Sequence, residues 1–148
     1  MRIWHYKLIP YLPKSQLLAQ WRELNSIFKK QDKHILINYI YEYENNKSDD
    51  LFDYTCIVIN KMRKRKIKIK SYDNIFNYFE YSNAFIESYI YDFEGVSYEL
   101  FKNHHTDRYL IQCFYNLQEK YDRGQKDFSK EIYDRLEEFV KIRKDKSE

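Results

Sequence analysis

Residues 13–30 read PKSQLLAQWRELNSIFKK and carry the clearest helical pattern of the chain. The apolar side chains recur every three or four residues, which is the spacing of one helix face: Leu17, Trp21, Leu24 and Phe28. Pro13 stands where the first turn of a helix favours proline. On a helix of 100° per residue, Glu23 lies well away from the apolar arc. The pattern predicts a helix from about Pro13 to Lys30, on which Glu23 faces water, a cleft or a ligand.

The composition predicts a mainly α fold in one domain. A chain of 148 residues is long enough for one core and too short for two typical domains. Aromatic residues make up 19% of the chain, which supplies ample apolar surface to bury. Only two glycines and two prolines interrupt it, which favours long helices. We expect a single compact helical domain over residues 1–148, with about five helices, and one short β segment stays an open alternative.

Four further helices are expected after residues that cap helix N-termini: Ser48, Ser71, Thr106 and Asp127. The helix after Ser48 would bury Leu51, Cys56, Ile59 and Met62, and the helix after Thr106 would end at Gly124. Two segments stay open. Residues 34–43 (HILINYIYEY) fit a strand, an aromatic helix or a loop, and residues 66–70 (KIKIK) alternate as a short edge strand would.

The charge is unevenly distributed along the chain. The net charge is only +3, but seven cationic residues fall between Lys61 and Lys70. Such a run attracts polyanions, and Arg63, Lys64 and Arg65 are the candidates there for contacts with phosphate. The alternative is a solvated helix end and loop.

The sequence lacks the motifs of several kinds of binding and catalytic site. The four histidines and two cysteines show no metal-binding spacing, and Cys56 and Cys113 are expected to be buried thiols. Phosphate-loop, dinucleotide and serine or cysteine nucleophile signatures are also missing. We therefore expect no metal and no cofactor. No apolar run is long enough to span a bilayer, so the protein is expected to be cytoplasmic and without a membrane partner.

The α-amine of the chain remains as a nucleophile. Its ordinary pKa is about 7.7 to 8.0, so a useful fraction is unprotonated at neutral pH, unlike lysine. Such an amine can attack a sugar C1′ and form a Schiff base.

Two pieces of the N-terminal sequence resemble a known family: Met1-Arg2-Ile3 and LLAQWREL (residues 17–24), followed by Phe28 and Lys33-His34. They are similar to the start of the phage endonuclease V type of pyrimidine dimer DNA glycosylase, and to a related group of small bacterial proteins. The segment HTDRYL (residues 105–110) also resembles that bacterial group.

The resemblance implies an all-α, metal-independent enzyme that acts on damaged duplex DNA. Its α-amine attacks C1′ of a flipped nucleotide, the glycosidic bond breaks, and β-elimination cleaves the strand. The catalytic residues would be Met1, through its amine, and Glu23, which would stabilise the cationic sugar and assist proton transfer. The residues expected to bind phosphate or nucleic acid are Arg2, Arg22, Lys33 and His34, together with Arg63, Lys64 and Arg65.

The sequence departs from the family pattern in three places. Arg2 is too bulky for the initiator methionine to be removed, so the nucleophile would be the amine of Met1. Gln16 and Ser26 stand where the phage family has an imidazole and a guanidinium, so DNA binding is expected either to be weaker or to depend on the residue 61–70 run.

Two other functions are compatible with the sequence. One is a non-catalytic protein on the same scaffold that binds nucleic acid or sequesters a phosphorylated nucleotide signal in phage-host defence. The other is an interaction domain whose acidic and basic segments pair between subunits. The oligomeric state cannot be derived from the sequence.

Overall fold

The computed structural model describes residues 2–43 and 50–147, and these ranges are built from helices. Six α-helices follow one another: α1 (Lys14–Lys30), α2 (Asp50–Lys64), α3 (Asp73–Phe79), α4 (Asn83–Asp92), α5 (Asp107–Asp122) and α6 (Lys130–Ser147). Two 3-10 helices, Tyr6–Tyr11 and Asn38–Tyr43, precede α1 and α2. The described ranges contain no strand, so the predicted mainly α class is confirmed, with six α-helices in place of about five.

Helix α1 has the predicted bounds. Pro13 is its N-cap in extended backbone, and Gln31 ends it in the left-handed region at φ 50°, with its N–H donated to the Ile27 carbonyl at 2.8 Å. Of the predicted apolar arc, Leu17, Leu24 and Phe28 are buried, and Trp21 is half-buried against the core. The helix therefore packs one face into the core.

Helices α1 and α2 run in opposite directions. The Tyr54 hydroxyl lies 2.8 Å from Gln20 Oε1, in the middle of α1. Leu51, earlier in α2, lines a groove with Lys29 from the last turn of α1. Past the end of α2, the Arg65 guanidinium donates to a carbonyl of the first 3-10 helix at 3.1 Å. The basic end of α2 consequently lies at the N-terminal end of α1.

Helices α5 and α6 pack against each other, and the first 3-10 helix lies between them and α2. Thr106 caps α5 as predicted, because its hydroxyl accepts the Tyr109 N–H at 3.2 Å. Gly124, with φ 82°, follows the end of α5, in a conformation that glycine adopts at low cost. None of the helices in the described ranges combines the length and the apolar character needed to cross a membrane.

One local prediction is wrong, and one segment that the sequence left open is resolved. Asp127 does not cap α6, because its carboxylate accepts hydrogen bonds from the backbone N–H and hydroxyl of Ser15. Ser129 takes that place and accepts the Ile132 N–H at 3.2 Å. The KIKIK segment is not a strand, since Lys66 adopts a left-handed φ of 59° and residues 67–70 pair with no other strand of the described chain.

Other features were left open or not predicted. Part of residues 34–43 forms the second 3-10 helix, and α4 had no sequence prediction. Ser71 hydrogen-bonds the Asp73 N–H at 3.0 Å at the start of α3, whereas Ser48 lies outside the described residues. Cys56 and Cys113 are buried free thiols, as predicted.

Candidate active site at the N-terminal segment

The side chain of Gln20 holds the N-terminal segment, residues 2–9, against α1 through hydrogen bonds. The Trp4 N–H donates to Gln20 Oε1 at 2.9 Å, and Gln20 Nε2 donates to the Arg2 carbonyl at 3.0 Å. One side-chain amide thus pairs with the backbone as a neighbouring strand would. Gln20 is 1% exposed, so these bonds form away from water, where losing them is costly.

The carboxylate of Glu23 faces the first residues of the chain. Glu23 Oε2 lies 3.3 Å from the Arg2 backbone nitrogen and 3.2 Å from Gln20 Nε2, and both of these groups donate to it. The side chain is half-buried, as expected for a residue beside rather than within the apolar arc of α1. Met1, the predicted nucleophile, lies outside the described residues.

Two buried tyrosines hold the same backbone from the other side. The Tyr109 hydroxyl donates to the Ile3 carbonyl at 2.6 Å, and the Tyr54 hydroxyl lies 2.8 Å from the Trp4 carbonyl. Burial raises the pKa of both tyrosines, so both remain neutral donors. The Arg2 guanidinium, close to the Tyr109 hydroxyl, acts in the opposite direction on its pKa.

Two buried histidines extend this network, and their partners fix their tautomers. His5 Nδ1 accepts the Lys7 N–H at 3.1 Å, and His5 Nε2 donates to the His105 carbonyl at 2.9 Å. His105 Nδ1 accepts the Tyr6 N–H at 3.2 Å. Burial lowers the pKa of His5 to about 4 and, with the neighbouring histidines, lowers that of His105 well below its usual range. Both rings are neutral in the folded protein.

Polar contacts lead from His105 back to the N-terminal segment. His105 Nε2 lies 2.7 Å from the Tyr39 hydroxyl, and the Tyr109 hydroxyl is one of the groups that, after burial, raise the pKa of Tyr39. Tyr109 then donates to the Ile3 carbonyl. The segment beside Glu23 is therefore positioned by side chains about a hundred residues away in the sequence.

The other predicted contacts near the N-terminus lie apart from this network. Arg22, Lys33 and His34 are exposed. The Lys33 ammonium lies 4.0 Å from the centre of the Tyr41 ring, and His34 Nδ1 accepts the N–H of a neighbouring turn residue at 3.2 Å. Within residues 2–43 and 50–144, no hydrogen bond or ion pair joins Glu23 to any of these three. Arg2, by contrast, is part of the network around the N-terminal segment. Its guanidinium lies 5.5 Å from the Trp4 ring centre and close to the Tyr109 hydroxyl.

The basic residues of the 61–70 run lie at a distance from Glu23. Arg63 and Lys64 are exposed in the last turn of α2, and Arg65 is half-buried just beyond it. Tyr54 marks the level of Glu23 on α2, because its hydroxyl bonds Gln20, which in turn bonds Glu23. Lys64 lies ten residues further along α2, which corresponds to about 15 Å along the helix axis. The structure therefore does not bring Arg63, Lys64 and Arg65 together with Glu23.

Gln20, Tyr54 and Tyr109 belong to the site but were not expected there from the sequence. A signal for Gln20 existed, because a helical projection places this polar residue only about 40° from Leu24, at the edge of the apolar arc. The tyrosines gave no such signal, since a tyrosine on an apolar helix face usually packs in a core.

Metal-binding residues do not converge in the described ranges. No group of three His, Cys, Asp or Glu side chains there could hold a metal ion.

The N-terminal half of the chain matches a known family. The family model for pyrimidine dimer DNA glycosylase matches residues 1–74 of the 148, which include Arg2, Gln20 and Glu23. His105 and Tyr109 lie beyond the matched part. No curated protein and no solved structure matches the chain. The match covers half of the sequence and contains the carboxylate that accepts the Arg2 N–H, so this chain belongs to the pyrimidine dimer DNA glycosylase family.

Proposed function

We propose that this protein is a DNA glycosylase with abasic-site lyase activity on damaged duplex DNA, with the Met1 α-amine as nucleophile and Glu23 as its catalytic partner. One observation carries the proposal: the Arg2 amide nitrogen lies 3.3 Å from Glu23 Oε2. Three covalent bonds join the α-nitrogen to that amide, a reach under about 4 Å in any conformation. This short reach supports the proposal that the amine and the carboxylate act in one site.

The chemistry follows from an unprotonated amine beside a carboxylate. The amine lone pair attacks C1′, and the C1′–N bond to the base breaks, with its electron pair leaving on the base. The amine then loses a proton, and opening of the sugar at O4′ gives a Schiff base. Loss of a C2′ proton expels the 3′ phosphate by β-elimination, and water hydrolyses the Schiff base to restore the amine.

Glu23 has two roles in this scheme. Its negative charge stabilises the cationic sugar as the base departs, and its oxygens can accept and return protons during sugar opening and elimination. The half-buried position strengthens both effects, because water screens the charge less than at a fully exposed site.

The basic side chains near the N-terminus are the proposed contacts with DNA. Arg2 lies next to the reacting end of the chain, and the exposed Arg22, Lys33 and His34 belong to α1 and the loop after it. Arginine and lysine bind phosphate oxygens, which positions a duplex without reading its sequence.

Borohydride trapping tests this function. A chain with a free N-terminus, incubated with duplex DNA that contains an abasic site, should give a covalent adduct when borohydride reduces the Schiff base. The same chain with an uncleaved N-terminal extension should give none, while a C-terminal tag of equal length should leave the yield unchanged. Full trapping by the extended chain would exclude the α-amine as nucleophile.

A second candidate is the non-catalytic binding protein, and one groove favours it. The groove has a volume of about 640 Å³ and combines cations with aromatic rings, including Lys29, Lys30, Tyr43 and Tyr78. Cations with rings are suited to a phosphate and a base. Calorimetry with mononucleotides and cyclic nucleotides distinguishes the candidates. Tight nucleotide binding without any borohydride adduct would favour sequestration.

A further inference from the structure

A second groove lies on the side of the molecule where α2 ends and α6 begins, and it brings together residues from distant parts of the chain. Its volume is about 290 Å³, far more than the space that one water molecule requires. The lining comes from the first 3-10 helix, the end of α2 and the start of α6: Pro10, Tyr11, Lys61, Arg65, Ser129, Glu131, Ile132 and Arg135.

The charge of this groove is positive. Three cations, Lys61, Arg65 and Arg135, line it with a single acid, Glu131. Glu131 already pairs with Arg135 at 2.8 Å, and both of these side chains are largely exposed. Among the side chains that the structure describes, none with a carboxylate forms an ion pair with Lys61. The groove therefore carries more positive charge than its own acid neutralises.

Holding these cations together costs stability. Lys61 and Arg65 are both half-buried. Burial, followed by the charges of Arg65, Lys64 and Arg135, lowers the pKa of Lys61, and burial lowers that of Arg65. Like charges that lose solvent without a counter-ion are typical of a site that binds an anion.

The groove is also shaped for an anion. The Arg65 guanidinium is fixed at its rim by the bond to the Pro10 carbonyl at 3.1 Å. Ser129 caps α6, so the first amides of an 18-residue helix stand at the other rim. The N-terminal end of a helix attracts negative charge.

We propose that this groove binds a phosphate group, with Lys61 and Arg65 as its main ligands and Arg135 closing it from α6. The site stands apart from the amine chemistry, because phosphate binding there needs neither Glu23 nor the α-amine. Its α6 residues also lie outside the part of the chain that matches the family. The phosphate could belong to the DNA backbone or to a free phosphorylated molecule, and the two arms of the test separate these sources.

The first arm uses inorganic phosphate and thermal unfolding at constant ionic strength. Replacing chloride by phosphate should raise the Tm of the native chain, because a ligand of the folded state stabilises it. Lys61→Gln should remove most of that rise, while leaving the Tm in chloride equal or higher, since a crowded like charge is gone. Lys68→Gln is the matched control: it removes the same charge from an exposed position of the same run and should keep the rise.

The second arm measures the salt dependence of duplex DNA binding. If the groove holds a backbone phosphate, Lys61→Gln should reduce the slope of log K against log salt by about 0.9, and Lys68→Gln by less. A change in this slope supports a DNA phosphate, and a loss of phosphate-induced stabilisation alone supports a free one. If Lys61→Gln and Arg135→Gln both behave like Lys68→Gln in the two arms, the groove is not a phosphate site.

Discussion

The N-terminal segment and the basic run at residues 61–70 both resemble binding elements in the sequence, but they are built in opposite ways. The N-terminal segment is held by buried side chains that donate to or accept from its backbone at Arg2, Ile3 and Trp4. In the basic run, Arg63, Lys64 and the lysines that follow are exposed, and among the hydrogen bonds that the described side chains of the run make, the one identified is from Arg65 to the Pro10 carbonyl. Hydrogen bonds therefore fix the backbone of the N-terminal segment, whereas the basic run mainly exposes positive charge to solvent.

This difference matters for the division of labour in a DNA repair enzyme. A reacting amine must meet C1′ in one geometry, and a small misplacement costs much of the rate. Attraction to phosphate acts over several ångströms and tolerates movement of the side chains. Changes in the N-terminal network should therefore have large effects on chemistry and stability, and changes in the basic run should have small effects on affinity.

The largest effect is expected from Glu23→Gln. This change keeps the size of the side chain but removes the charge that stabilises the cationic sugar, so the single-turnover lyase rate should fall about 100- to 1000-fold. Duplex affinity should stay equal or increase, because a negative charge is removed. Glu87→Gln, at an exposed position of α4, is the control and should leave the rate unchanged. A rate within threefold of the native chain would assign Glu23 a purely structural role.

The next effect is on stability. Gln20→Leu leaves the buried Trp4 N–H and the Arg2 carbonyl without their partner, and we expect a loss of about 2–4 kcal/mol in the free energy of unfolding. Gln16→Leu is the matched control one turn earlier on α1, where the side chain is half-exposed, and should change stability by less than about 0.5 kcal/mol. Denaturant unfolding measures both variants. Equal stabilities for the two would refute the role of Gln20 as the fastening residue.

A similar or smaller effect is expected from pH. The pKa of His5 is about 4 in the folded protein and 6.5 in an ordinary environment. Between these values the unfolded chain binds a proton that the folded chain does not, so stability is full above pH 6.5 and falls by roughly 3 kcal/mol as the pH drops to 4. Urea unfolding at pH 7 and pH 4.5 should show this loss. His5→Gln should be less stable at pH 7 but should lose less on acidification, and an identical loss in both chains would contradict the assignment.

The smallest effect is expected in the basic run. Arg63→Gln removes an exposed charge, so stability should change by less than about 0.5 kcal/mol. Duplex affinity should fall only a few-fold at low salt and converge with that of the native chain at high salt. A large loss of lyase rate at saturating DNA would mean that this run also takes part in the chemistry.

Much of the fold follows from local pattern. The apolar arc and the flanking Pro13 predicted α1 to within a residue, and Thr106 and Gly124 bounded α5, because caps and periodicity act over a few residues. Helix α4 was missed since only Ile86 and Ile90 are buried on it, too few for a clear stripe. The alternation in residues 66–70 does not correspond to a strand, because a strand also needs a neighbouring strand with which to form hydrogen bonds.

The site was only partly predictable for a related reason. The resemblance identified Glu23, and the structure places this carboxylate beside the Arg2 amide. The hydrogen bonds from Tyr109 and His105 join positions about a hundred residues apart, and nothing local in the sequence encodes such pairs. The same holds for the groove that joins Lys61 to Arg135. Both depend on packing that only the folded chain reveals.

The central claim is that the first nitrogen of the chain forms a covalent bond with the sugar. Mass mapping of the borohydride-reduced adduct tests it most directly, after digestion of the trapped protein with a protease. We expect the added mass on the α-nitrogen of Met1, in the peptide that begins the chain. An adduct on a lysine side chain, or a complete lack of adduct under conditions that trap a known lyase, would contradict it.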